Sequence, residues 1–189
     1  AALDSLSGEG WAAMGEVRGS VTRNFRALGM GRIDGNSEGV GVWGNVLQGQ
    51  EDVKGDGNGE RIKGDVRGLV GGVEYGFGGG KVGIMVGYGQ GELKLHSRGE
   101  GEVKLMMGGV YGGWNLGGIE VSGGVSYASG KQKVERHISV GGTVQRDVRG
   151  SEQVREFGMD VGVGYGINLG MIKVTPQVGL EMARVYEQG

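Results

Sequence analysis

The chain has 189 residues, 47 of them glycine, with no cysteine, one proline and two histidines. Scarce proline without a three-residue glycine period excludes collagen, the lack of cysteine excludes disulfide scaffolds and thiolate metal sites, and no apolar run approaches the roughly 18 residues of a membrane-crossing helix. Twenty basic residues against 22 acidic ones leave a net charge of −2, which gives no electrostatic footprint for nucleic acid.

The first 33 residues carry Leu3, Leu6, Trp11, Met14, Val17, Val21, Phe25 and Leu28, mostly at three- and four-residue intervals. That spacing predicts a helix over about 10–29, although Gly15 and Gly19 each cost about 1 kcal/mol there. A rival strand over 16–26 would set Arg23 on the same face as Val17, Val21 and Phe25. A cation there costs about 2–4 kcal/mol near a bilayer midplane, so the helix is preferred. The opening Ala1-Ala2-Leu3-Asp4 lacks the basic start and apolar core of a secretory signal. The chain therefore reads as a C-terminal piece of a longer precursor.

From residue 34 on, the period changes from 3.6 to two. In 157–169, Phe157, Met159, Val161, Val163, Tyr165, Ile167 and Leu169 share one parity; Gly158, Asp160, Gly162, Gly164, Gly166 and Asn168 share the other. Alternate strand side chains point to opposite faces. The segment is thus a strand with one apolar face and one small or polar face. The same alternation predicts seven strands, at about 39–49, 67–77, 81–91, 103–115, 118–128, 155–169 and 172–184. Their connections alternate too. Gly78-Gly79-Gly80, Leu116-Gly117 and Gly170-Met171 are short, whereas 50–66, 92–102 and 129–154 are long and polar. Short turns at one end, long loops at the other and strands near the 9–11 residues that cross a bilayer predict an antiparallel up-and-down transmembrane β-barrel.

Outward aromatics sort by depth along this path. Tyr75, Phe77, Tyr111 and Tyr165 fall near the short turns; Tyr88, Tyr127 and Phe157 fall near the long loops. Two such belts are what membrane interfaces select. The inward parity holds much of the glycine, leaving room for a helix. Glu74, Glu120, Asp160, Lys173, Gln177 and Glu181 are expected to line that pore, where Arg18, Arg23 or Arg26 of the helix would pair with them. The expected domains are a helix and linker over 1–33 in the lumen and a barrel portion over 34–189.

No catalytic, metal or cofactor site is expected. Asp56-Gly57-Asn58-Gly59-Glu60 fails the calcium-loop template because Lys54 stands where a ligand is needed. Gly87-Tyr88-Gly89-Gln90-Gly91 has no following helix to receive a phosphate. His96 and His137, beside Ser97 and Ser139, read as loop histidines.

Several segments resemble the β-domain of autotransporters (type V secretion). They are Ala2-Leu3-Asp4-Ser5-Leu6-Ser7-Gly8-Glu9, Gly41-Val42-Trp43-Gly44, Gly72-Val73-Glu74-Tyr75, Val86-Gly87-Tyr88, Val110-Tyr111-Gly112-Gly113-Trp114, Gly123-Gly124-Val125-Ser126-Tyr127 and Pro176-Gln177-Val178-Gly179-Leu180-Glu181. Their order and spacing run through nearly the whole chain. The resemblance implies a twelve-stranded outer-membrane barrel with a helix inside, of which about seven strands are present. It implies a non-enzymatic translocator, inserted by the barrel-assembly machinery, that lets an upstream passenger reach the cell surface. The family's terminal strand with its final aromatic is not found in Glu187-Gln188-Gly189. Some relatives cut themselves at an asparagine in the helix; Asn24 is the sole asparagine there and no Asn-Asn pair exists, so cleavage is not expected. The alternative is a small eight-stranded structural or adhesive barrel, with 16–26 as the eighth strand.

Overall fold

The computed structural model describes residues 9–33, 38–53, 62–95, 99–140, 144–169, 172–174 and 176–188. Helix α1 spans Glu9–Met30, which removes the strand over 16–26 and with it the eight-stranded alternative. It ends in a tightened turn, with Arg32 N bonded to Gly29 O and Ile33 N to Met30 O. Its buried residues include Met14, Val17, Val21 and Phe25, and burial extends to Arg18, Thr22 and Arg26. Burial on this wide stripe outweighs the helix-weakening glycines.

Seven strands form one antiparallel sheet in the order β1-β2-β3-β4-β5-β6-β9. These are β1 (Gly39–Val53), β2 (Ile62–Phe77), β3 (Gly80–Leu95), β4 (Gly99–Leu116), β5 (Ile119–Val140), β6 (Val144–Tyr165) and β9 (Gln177–Gln188). The short β7 (Ile167–Leu169) and β8 (Ile172–Val174) pair only with each other. The expected single strand 172–184 is thus split. Pro176 has no N–H to give to the ladder, and its carbonyl accepts from Tyr165 N where the main sheet resumes. The Gly170-Met171 turn lies outside the described residues.

The strands run further than expected at the long-loop end. Much of 50–66, 92–102 and 129–154 is ladder rather than loop, and β5 and β6 pair out to Val140 and Val144. The physical reason lies on the inner face. Leu93, Val103, Val134 and Val154 continue the apolar inward parity there and are buried, while their outward neighbours turn polar. The polar outward residues mark the end of an apolar band, not the end of the strands. At the opposite end the reading is direct: Gly78, Gly79, Gly117 and Gly118 all adopt positive φ in tight turns, where glycine carries no steric penalty.

Candidate functional site

Ladder register sorts the outward residues into rows across the sheet. Tyr75 lies in one row with Val40, Val82, Val161 and Leu180; Tyr127 and Phe157 lie opposite each other in another. From Met106 to Leu116 on β4 the outer face is apolar or glycine apart from the turn. The ten steps between those two residues, at about 3.4 Å each and about 40° of tilt, give a band roughly 26 Å tall, matching the roughly 25 Å apolar band of outer-membrane barrels. Val42, Leu69, Ile84, Val86 and Met106 are all exposed on it. Among the described residues no helix is long and apolar enough to cross a membrane.

The inner face holds the helix. A row of glycines forms its seat. A methyl group added at Gly89 would lie 2.5 Å from Val21 Cγ1, at Gly91 2.5 Å from Val17 Cγ1, at Gly101 2.6 Å from Met14 Sδ and at Gly87 3.0 Å from Phe25 Cε2. At Gly89, Gly91 and Gly101 a larger side chain would force the facing helix residue to shift, and at Gly87 the fit is already tight. Leu47, Val70, Met85, Leu105 and Met107 close around them. The order of contacts also gives direction. Met14 meets the long-loop end of β4, and Gly29 and Ile33 lie against Met85 and Gly113, toward the turns.

Two ion clusters fasten the helix. At the turn end, Glu74 is 4% exposed and accepts from Arg32 Nε and Nη2 (both 2.8 Å), Tyr111 Oη (2.8 Å) and Lys81 Nζ (3.3 Å). Lys81 also donates to Arg32 O at 2.8 Å, Trp43 Nε1 donates to Tyr111 Oη at 2.9 Å, and the Arg32 guanidinium lies 5.2 Å from the Trp43 ring centroid. The second cluster lies on β5, β6 and β9. Arg26 pairs with Asp160 (3.1 Å), Glu156 (3.4 Å) and Glu181. Thr22 Oγ1 donates to Glu156 at 2.6 Å, and Arg18 donates to Gln132 at 3.3 Å. An added Cβ at Gly158 would meet Arg26 Nη1 at 2.5 Å, so glycine also makes room for this guanidinium.

Of the expected pore-facing residues, Asp160 and Glu181 meet Arg26 of the helix, and Glu74 meets Arg32 just beyond it. Glu120 sits by the β4–β5 turn and accepts from Asn115 at 3.2 Å. Lys173 lies in β8 and Gln177 opens β9; their side chains are outside the described residues. Arg23 is exposed. Asn24 projects to the side of the helix away from Thr22 and Arg26, its amide 3.3 Å from the Cβ position of Gly49 on β1. The segment 54–60 and His96 lie outside the described residues, while His137 falls within β5 rather than a loop.

Tyr75, Tyr88, Tyr127, Phe157 and Tyr165 are exposed on the outer face, and Phe77 is half-buried between Tyr75 and Trp114. Tyr111 is a correction. It was expected among the outward aromatics, yet it is 4% exposed and faces inward. Glycines on both parities (Gly108, Gly109, Gly112, Gly113) blur the alternation of β4. Val103, Leu105 and Met107 share the parity of Tyr111 and are all buried; Trp114 takes the outward place. Sequence reasoning also missed Glu156, Lys81 and Arg32. Glu156 lies one alternation before Gly158 and Asp160, and Lys81 one before Gly83, so both were within reach of the parity argument. Arg32 lies beyond the helix, where no periodicity points to it.

An apolar outer band, turns and long strands at opposite ends, and a helix bedded on glycines along the inner face define a sheet of the outer-membrane barrel type. Residues 42–189 match the model of the autotransporter beta-domain, and the chain belongs to that family. The fold is similar to the translocator domain of the autotransporter NalP from Neisseria meningitidis, with TM-score 0.69 and 18% identity over 95% of this chain and 60% of that one. It is also similar to the β-domain of the Bordetella autotransporter BrkA, with TM-score 0.57 and 17% identity over 79% of this chain and 60% of that one. The chain thus spans about 60% of the length of both. No curated protein matches the sequence.

Proposed function

We propose that this chain is part of an outer-membrane translocator that supports export of an N-terminal passenger, with residues 1–33 supplying a helix inside the lumen and 34–189 supplying barrel wall. The reading rests on the direction of α1. Its N-terminal half lies at the long-strand end and its C-terminal end at the tight turns. Outer-membrane barrels keep short turns on the periplasmic side. A polypeptide preceding the helix would therefore emerge on the outside. On this reading Glu74, Glu120, Asp160, Lys173, Gln177 and Glu181 face the pore, and Glu74 and Asp160 hold the helix as a plug. The partners are outer-membrane lipid, the passenger itself and the barrel-assembly machinery, and the role is non-enzymatic. An epitope placed ahead of Ala1 in the full-length protein should be cleaved by protease added to intact cells. Cleavage only after the outer membrane is permeabilised would overturn the proposal.

A further inference from the structure

At the long-strand end of the outer band, one row carries Leu69, Tyr88, Met106, Ser129, Arg155 and Tyr186 across β2 to β9. Polar side chains dominate from the next row on. In a membrane barrel this depth is where acyl chains give way to headgroups. The outward cations at and above it are treated differently by the two halves of the sheet. On β2 to β4, Arg67 is matched by Glu92 at 3.1 Å and Lys104 by Glu102 at 2.8 Å, and the further exposed cation, Lys94, stands opposite Glu100 in the ladder. On β5, β6 and β9, Glu135 is the sole outward acid among the residues whose side chains are described, and Arg149 takes it at 3.3 Å. Lys131, Lys133, Arg155 and Arg184 remain exposed with no ion pair among the described residues; Lys131 stands opposite Lys104, and Lys133 opposite Glu102, which Lys104 already holds.

Register brings these four together. Arg155 lies opposite Ser129 on one side and Tyr186 on the other. Lys131 and Arg184 each stand two residues from those partners, so both are diagonal neighbours of Arg155, about 7–8 Å away at the backbone. Lys133 continues the line. Arg184 starts one row deeper, opposite Phe157, but its guanidinium lies 5.4 Å from the Tyr186 ring centroid. It is thus carried upward to the level of Arg155. Like charges this close repel until an anion takes them up, and the apolar band below supplies a surface for hydrocarbon chains.

We propose that Lys131, Lys133, Arg155 and Arg184 bind the phosphate of an anionic membrane lipid whose acyl chains lie along β5, β6 and β9. The proposal rests on the reading of the sheet as membrane-spanning. Its test uses the full-length protein refolded in micelles, with heat-modifiable gel mobility as the folding check. Native mass spectrometry then measures retention of dilauroyl phosphatidic acid against dilauroylglycerol, the same lipid without phosphate. The wild type should hold the phosphatidic acid about tenfold more tightly than Lys131→Gln/Lys133→Gln/Arg155→Gln/Arg184→Gln. Arg67→Gln, at the depth of Lys131 but three strands away on β2, should behave as wild type. Equal retention of the two lipids by the wild type, or equal weakening by Arg67→Gln, overturns the site. Displacement by inorganic phosphate alone overturns its assignment to a lipid. A wild type that never becomes heat-modifiable overturns the barrel reading together with the site, whereas a folded wild type indifferent to the headgroup overturns the site alone.

Discussion

Glu74 gathers four hydrogen bonds from three residues of different origin: Arg32 beyond the helix, Lys81 on β3 and Tyr111 on β4. Removing one side of a buried ion pair strands the other, and the cost is about 3–5 kcal/mol. Glu74→Ala should therefore lower unfolding stability by roughly 3 kcal/mol or more in urea titrations, because Lys81 is itself only 3% exposed. Glu74→Gln should fall between that variant and the wild type. Tyr111→Phe, which loses one bond given to Glu74 and one accepted from Trp43, should cost about 1–2 kcal/mol. An unchanged midpoint in Glu74→Ala would show that water replaces the carboxylate without loss. The sequence makes Glu74 legible through its parity on β2. Tyr111 was not legible, because glycine on both faces of β4 removes the contrast on which parity depends.

Helix α1 is held by shape on one side and by charge on the other. Gly89→Val would drive a branched side chain into Val21 and Met107. In the full-length barrel it should unseat the helix, seen as raised conductance in planar bilayers. Gly108→Ala faces outward, with no atom closer than 4.0 Å to the new methyl, and should leave conductance unchanged. Arg26→Ala leaves Glu156, Asp160 and Glu181 facing one another, so protease should cut the helix faster than in the wild type. Arg23→Ala, at an exposed position, should not change the cutting rate. Equal rates for the two variants would remove the ion cluster from the account. The existence and placement of this helix were legible from the 3.6-residue spacing of Met14, Val17, Val21 and Phe25. Its charge partners were legible only in part. Glu156 lay in the predicted strand 155–169 but was not singled out, whereas Gln132, the partner of Arg18, lay in a segment that read as loop, since a single sequence does not distinguish a loop from a strand rising above a membrane.

The molecule as a whole has two distinct ends, and the absence of cysteine makes them easy to address chemically. Cysteine introduced as Glu135→Cys should react with an impermeant maleimide on intact cells. Asn115→Cys, beside a tight turn, should react only after the outer membrane is opened. The reverse pattern would invert the direction of α1 and with it the proposed route of the passenger. The seven-strand order was legible because the described turns keep their glycines and most outer faces their apolar parity. The β7–β8 excursion was not, since it depends on Pro176 interrupting one ladder at a single point. The distribution of charge between helix and wall has a mechanical side as well. Arg18 and Arg26 on the helix and Arg32 just beyond it grip carboxylates or amides carried by the wall, at separated heights along one axis. A pull along that axis loads all three attachments in shear at once, whereas tipping one end loads them singly, as in a zip. Departure of the helix should therefore start at the Arg32 end or the Arg18 end and travel, rather than occur as a single axial slide.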